Sequence, residues 1–197
     1  MNLKLFDEFM GKRRMPTQCR PEWLMFLEVC ETYLKKHKIE NPIVVELGSS
    51  RNRQKKFYEQ LLGAEHIGID MYIDRFPPDI LGDSHNPKTL NALKKKLNGR
   101  PINILFIDAC HCYADVKKDY EMYSPLCDGI VAFHDVETAR YRLHSRREVW
   151  KFWDELKARS FNDSEREELE RFLFLLIHQH RVNGKKYWMG IGMIIKQ

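Results

Sequence analysis

Two short apolar runs, INILFI at 102–107 and GIVAFH at 129–134, are each followed by an aspartate, Asp108 and Asp135. A helix-like segment lies between them, beginning near Tyr113. In an α/β sheet this arrangement puts both aspartates at the carboxyl ends of parallel strands, the edge where such sheets bind ligands. No other stretch restricts the fold as much.

The rest of the chain repeats the alternation. The segment PEWLMFLEVCETYLKKH has apolar residues at helical spacing, and Pro21 suits a first helical turn. NPIVVELGSS reads as a buried strand with a glycine-bearing turn. A helix RQKKFYEQLLG follows, closing at Gly63. Next come a short strand HIGID ending on Asp70, a Pro77-Pro78 break, a third strand DILGD, and a helix from about Pro87 to Leu97. After Asp135 come the basic stretch ETARYRLHSRR and a helix REVWKFWDELKARS. Asp163 or Ser164 could cap a further helical turn. The segment RFLFLLIHQHRVNGKKYWMGIGMII reads as two strands joined at Asn183-Gly184, a strong hairpin signal. Five strand–helix alternations before a hairpin predict a single α/β domain. Its sheet is mostly parallel and doubly wound, with an antiparallel addition. Residues 1–20 are expected to form an arm or short helix, and 21–197 the domain.

Bulk properties agree with a soluble globular domain. The chain has 197 residues, 43% hydrophobic and 31% charged, with a net charge of +5. It has no apolar run of the ~18 residues that span a bilayer and no signal-peptide core, so a cytoplasmic location is expected by default. The five cysteines are an odd count in a chain too large to need disulfide staples. Reduced thiols are expected. Cys110-His111-Cys112 is too closely spaced for the usual zinc pattern, no second pair appears, and half-buried thiols are the simpler reading.

Several residues gather at the predicted sheet edge. Glu46-Leu47-Gly48-Ser49-Ser50 forms a turn that lets a ligand approach the backbone beside a helix N-terminus. Asp70, about twenty residues on, stands where an acidic residue accepts hydrogen bonds from a ribose. Gly82-Asp83-Ser84-His85 offers polar atoms at the same edge, or a helix-capping turn. Asp108, His111, His134 and Asp135 offer a carboxylate pair with adjacent imidazoles. The carboxylates suit a hard cation such as magnesium, whereas His134 suits a softer one. Arg140, Arg142, His144, Arg146 and Arg147 could clamp an anionic substrate or form a solvated loop. Trp150, Phe152 and Trp153 read as core.

The ordered strings VVELGSS, HIGID, ILGDSHNPKTL, LFIDACHCYADVKKDYEMYSPL, GIVAFHDV, VWKFWDEL and MGIGMII resemble the class I S-adenosylmethionine-dependent methyltransferases. They are most similar to the cephalosporin hydroxylase-like and macrolide-sugar O-methyltransferase group, and the match covers roughly residues 20–197. The resemblance implies a Rossmann-like, seven-stranded sheet with its last strand antiparallel. It implies that Glu46 and Gly48 lie at the methionine portion of the cofactor, with Ser49, Met71 and Asp108 also among the cofactor-binding residues. It also places Asp70 at the ribose hydroxyls, and Asp83 and Ser84 near the adenine. Asp108 would hold magnesium or another divalent metal with His134 and Asp135. His134 departs from the family, where two acidic or amide groups usually fill that strand end. Arg51-Asn52-Arg53 departs too, replacing further glycine. Asn52 can supply a left-handed turn there, while Arg51 and Arg53 are bulky enough to crowd the cofactor or contact its carboxylate.

The expected function is methyl transfer from S-adenosylmethionine to a hydroxyl of a small molecule, with His111 as general base beside Asp108. Substrate choice is expected in residues 1–20 and 137–150, the segments least tied to the core. Alternatives remain open at this point. A catalytically degenerate binding protein of the same fold would explain the two departures. A nicotinamide oxidoreductase is disfavoured, because no G-x-G-x-x-G follows the first strand. A hydroxylase-like iron site could be drawn from His111, His134 and Asp108, with no geometry fixed by sequence. Nucleic-acid methylation lacks an appended basic domain or base-flipping signature. A homo-oligomer is compatible with the sequence, which does not specify one.

Overall fold

The computed structural model describes residues 1–11, 18–73, 76–140, 145–159, 172–178, 181–182, 185–186 and 189–196. Helices α1 (Leu3–Gly11) and α2 (Arg20–Lys36) precede strand β1 (Ile43–Leu47). Then follow α3 (Lys55–Leu61), β2 (Glu65–Asp70), β3 (Ile80–Leu81), α4 (Pro87–Leu97) and β4 (Ile102–Ile107). Next are α5 (Tyr113–Tyr123), β5 (Cys127–His134), α6 (Val149–Arg159) and β6 (Phe172–Ile177). The short pair β7 (Arg181–Val182) and β8 (Lys185–Lys186) leads to β9 (Ile191–Lys196).

Seven strands form one sheet in the order β3-β2-β1-β4-β5-β9-β6. Pairs from β3 through β5 are parallel, and β9 runs antiparallel to both β5 and β6. This is the mostly parallel sheet with one reversed strand that the alternation predicts. The hairpin at the end is longer than a simple turn. Ile177 pairs with Ile191, and the β7–β8 ribbon intervenes, with Val182 opposite Lys185. Asn183 and Gly184 lie outside the described residues, as do Asp163, Ser164, Arg142 and His144.

Strand side chains alternate between two apolar layers. Val45, Leu47, Ile69, Leu105, Ile107, Val131 and Phe133 face α4, α5 and α6, where Leu93, Val116, Phe152 and Trp153 are buried. Val44, Ile104, Phe106, Ile130, Ala132 and Met193 face α1, α2 and α3, against Trp23, Phe26, Phe57 and Tyr58. The first residues are part of this second layer. Phe6 and Phe9 pack edge-on against Phe57 at 5.6 and 5.3 Å between ring centroids. The N-terminal helix is therefore tied to the core, although the sequence reading expects residues 1–20 to be among the segments least tied to it. Among the described residues, no helix is long and apolar enough to cross a membrane.

Candidate active site

The carboxyl ends of β1, β2, β3 and β4 open into a cleft of about 570 Å³, in the range typical of small-molecule sites. Gly48, Ser50, Asp70, Met71, Tyr72, Gly82, Asp83, Ser84, His85, Asp108 and Asp119 are among its lining residues. Gly48 is required by the backbone. Its φ is +82°, and a Cβ there would fall 2.2 Å from the carbonyl oxygen of Asp108. Glycine thus lets the turn after β1 pack directly on the turn after β4.

Backbone N–H groups fix Asp70 between two loops. Ser50 N donates to Oδ2 at 2.7 Å and Tyr72 N to Oδ1 at 2.9 Å. Each oxygen keeps acceptor capacity for a ligand hydroxyl. Asn52 adopts φ +49°, the left-handed turn its side chain tolerates, and donates to the carbonyl of Pro77 at 2.6 Å. Neither Arg51 nor Arg53 is among the residues lining the cleft.

At the other end of the cleft, Asp83 accepts from His85 N at 2.9 Å, and Tyr123 donates to the carbonyl of Ser84 at 2.7 Å. Asp119 is buried beneath them, with His85 Nε2 3.2 Å from its Oδ1. Burial pushes the Asp119 carboxyl up to about 6.

The second cluster stands at the ends of β4 and β5. Asp108 Oδ1 meets His134 Nδ1 at 2.8 Å and His111 Nε2 at 3.3 Å. Its Oδ2 accepts from Gln18 Nε2 at 3.2 Å. Burial alone would raise the Asp108 carboxyl; the His134 charge and the two imidazole hydrogen bonds outweigh it and bring it down to about 2. Burial opposes charge on His134 as well, but Asp108 carries its pKa up to about 9. His134 is therefore an imidazolium at neutral pH. Asp135 takes a left-handed backbone conformation, φ +61°, which aspartate accepts more readily than most residues. Its carboxylate accepts from Thr138 Oγ1 at 2.8 Å and lies 3.6 Å from His111 Nε2 and 3.4 Å from Arg147.

Sequence and structure meet unevenly here. Gly48, Asp70, Met71, Asp83, Ser84 and Asp108 line one cleft. Asp108, His111, His134 and Asp135 converge beside it. Glu46 and Ser49, expected at the cofactor, have fully buried side chains behind the cleft. Glu46 instead pairs with buried His66 at 2.8 Å. Burial raises the Glu46 carboxyl against the pull of that hydrogen bond. Arg140 binds Glu137 and Asp154, away from the cluster, whereas Arg147 reaches Asp135. Gln18, Thr138 and Asp119 escape a sequence reading. Gln18 is 90 residues from its partner, and no local pattern links them.

No family model matches the chain. The uncharacterized protein y4gI of Sinorhizobium fredii is 32% identical over 73 residues, 36% of this chain and 8% of that protein. Among solved structures, the MycE methyltransferase of the mycinamycin biosynthetic pathway, in complex with Mg, SAH and mycinamycin VI, gives a TM-score of 0.65. Identity is 13% over 100% of this chain and 54% of MycE. The O-methyltransferase TomG from Streptomyces achromogenes, in complex with SAM, gives 0.56 at 14% identity, over 98% of this chain and 88% of its own. The chain spans about half the length of MycE and far less of the curated relative. The likeness defines the architecture: a Rossmann-like fold that these two methyltransferases share.

Proposed function

We propose that the chain transfers a methyl group from S-adenosylmethionine to a hydroxyl of a small molecule. One observation carries this reading. A cleft built from Gly48, Asp70 and Asp83 runs up to Asp108, and a second imidazole, His111, stands immediately beyond it. MycE and TomG, which share the fold, are complexed with SAH and SAM.

The residues present fit the cofactor. Asp70 offers acceptors for vicinal hydroxyls, and the volume suits a nucleoside with a short tail. The sulfonium methyl is already activated, so the protein's work is alignment of donor and acceptor. His111 takes the acceptor proton on its Nδ1, while Asp108 holds the Nε2–H at 3.3 Å, orients the ring and stabilises the imidazolium that results. Without a metal, His134 places a positive charge beside Asp108.

A metal is a separate matter. Asp108, His111 and His134 present ligand atoms within 4.8 Å of one another. Once His134 gives up its proton to solvent, one carboxylate and two imidazoles suit a borderline divalent ion better than magnesium, which favours oxygen. When bound there, such an ion would lower the acceptor hydroxyl's pKa.

Calorimetry with S-adenosylmethionine and S-adenosylhomocysteine, each with and without divalent metal, tests the binding step. Heat of binding is expected for both; none under any condition would leave a non-catalytic role for the fold. With an acceptor in hand, His111→Ala should lower kcat by about 10²–10⁴-fold while cofactor affinity stays within about twofold. Equal turnover would remove His111 from the base position.

A further inference from the structure

The segment between Asp108 and α5 carries a second group of ligating atoms that methyl transfer does not use. Cys112 caps the N-terminus of α5, and Asp115 lies in its first turn. Cys110 precedes the cap by two residues. The two sulfurs and a carboxylate oxygen of Asp115 all lie within 4.8 Å of one another. Two ligands of one tetrahedral zinc ion sit about 3.5–4 Å apart, given metal–ligand bonds of ~2.0–2.3 Å. The trio therefore stands within a small side-chain adjustment of closing on an ion. Cys110 is exposed and the other two are half-buried, so the approach from solvent is open.

We infer that Cys110, Cys112 and Asp115 form a binding site for a thiophilic divalent cation of the zinc or cadmium kind, with a fourth position left to solvent. The sequence spacing alone argues against this, since Cys-x-Cys has no second pair. The fold supplies the missing ligand by turning Asp115 back toward the thiols over one helical turn. Two sulfurs set the preference: thiolates select soft and borderline ions over magnesium or calcium. The neighbouring Asp108, His111 and His134 group has no sulfur, so the two sites differ in chemistry as well as place.

The binding step balances without redox change. Partial desolvation of the sulfur, with a hydrogen bond from the thiol to Asp115, holds Cys110 up at about 12. On binding, two S–H bonds break, two sulfur–metal bonds form, and two protons pass to solvent.

The reduced, chelator-stripped full chain titrated with cadmium provides the test, read by the ultraviolet thiolate-to-cadmium charge-transfer band. One equivalent is expected to saturate the band, with release of about two protons in weakly buffered solution. The Cys110→Ser/Cys112→Ser double variant should lose the band, and Asp115→Asn should weaken binding about tenfold or more. Asp108→Asn should leave the band unchanged. No band in the reduced wild type, a band that persists in the double variant, or one that disappears in Asp108→Asn would each overturn the site. Proton release is measured on the wild type, so the test stands even if a variant fails to fold.

Discussion

Asp108 is held from three directions: by His134 along the neighbouring strand, by His111 one turn ahead, and by Gln18 from the N-terminal segment. Its pairing with His134 makes stability depend on pH with a definite sign. The His134 proton is bound more tightly in the folded protein, at about 9 against an ordinary 6.5. Its contribution is therefore complete below pH 6.5 and lost as pH rises through 9. Asp108, at about 2 against an ordinary 3.8, contributes fully above 3.8 and loses that contribution as pH falls through 2. In chelator-treated protein, Tm should decline between pH 6.5 and 9 more steeply in the wild type than in Asp108→Asn, followed by circular dichroism. Parallel profiles would contradict the pairing. Gly48→Ala offers a second test at this scale. Neither its positive φ nor the contact with the Asp108 carbonyl can be relieved by a side-chain rotation. Loss of at least 1–2 kcal/mol is expected in urea titration. The aspartates at the strand ends were legible because apolar runs stop abruptly on them. The real partner of Glu46 was not. His66, which the β1–β2 register sets opposite Val44, reaches it across the strand pair from twenty residues away.

At the scale of elements, most strands and helices followed from periodicity and punctuation. Helix α4 is the plainest case. Asn86 caps it by accepting from Lys88 N at 2.9 Å, Pro87 opens it, and Asn98 ends it in a left-handed conformation. Asn86→Ala should cost about 1 kcal/mol, seen as a lower urea midpoint with an unchanged slope. Helix α1 was less legible. Its Phe6, Phe9 and Met10 share one face, but nothing local indicates that Phe57, in another helix, receives them. Phe6 is fully buried, so Phe6→Ala should destabilise by about 3–5 kcal/mol. A cost below about 1 kcal/mol in denaturant titration would show that α1 merely rests on the surface. The β7–β8 ribbon was hidden inside the hairpin signal, because two-residue strands carry no period.

For the whole molecule, the fold was legible because each level of pattern agreed: buried parallel strands, intervening amphipathic helices, and turns with polar residues on one edge. The clustering of His111 with both aspartates required the fold itself. Binding at the cleft should be felt globally. At a hundred times its dissociation constant, a ligand specific to the folded state adds about 2.7 kcal/mol. S-adenosylhomocysteine should therefore raise Tm by several degrees in a thermal shift assay, whereas NAD at the same concentration should not. The reverse ranking would favour a nicotinamide-binding role.

Strand β9 has a consequence for how the chain reaches this state. It sits inside the sheet, between β5 and β6, yet every other strand of the sheet precedes it in sequence. During synthesis β1 to β5 can pair progressively, but β6 has no neighbour until β9 emerges. Joining β5 to β9 then closes a loop of more than fifty residues, as Ile130 meets Ile195. Such long-range closure is slow relative to local pairing. Until it happens, the apolar edges of β5 and β6 are open templates for another chain. The reversed strand that completes the fold also defines the interval in which the nascent protein is most exposed to aggregation.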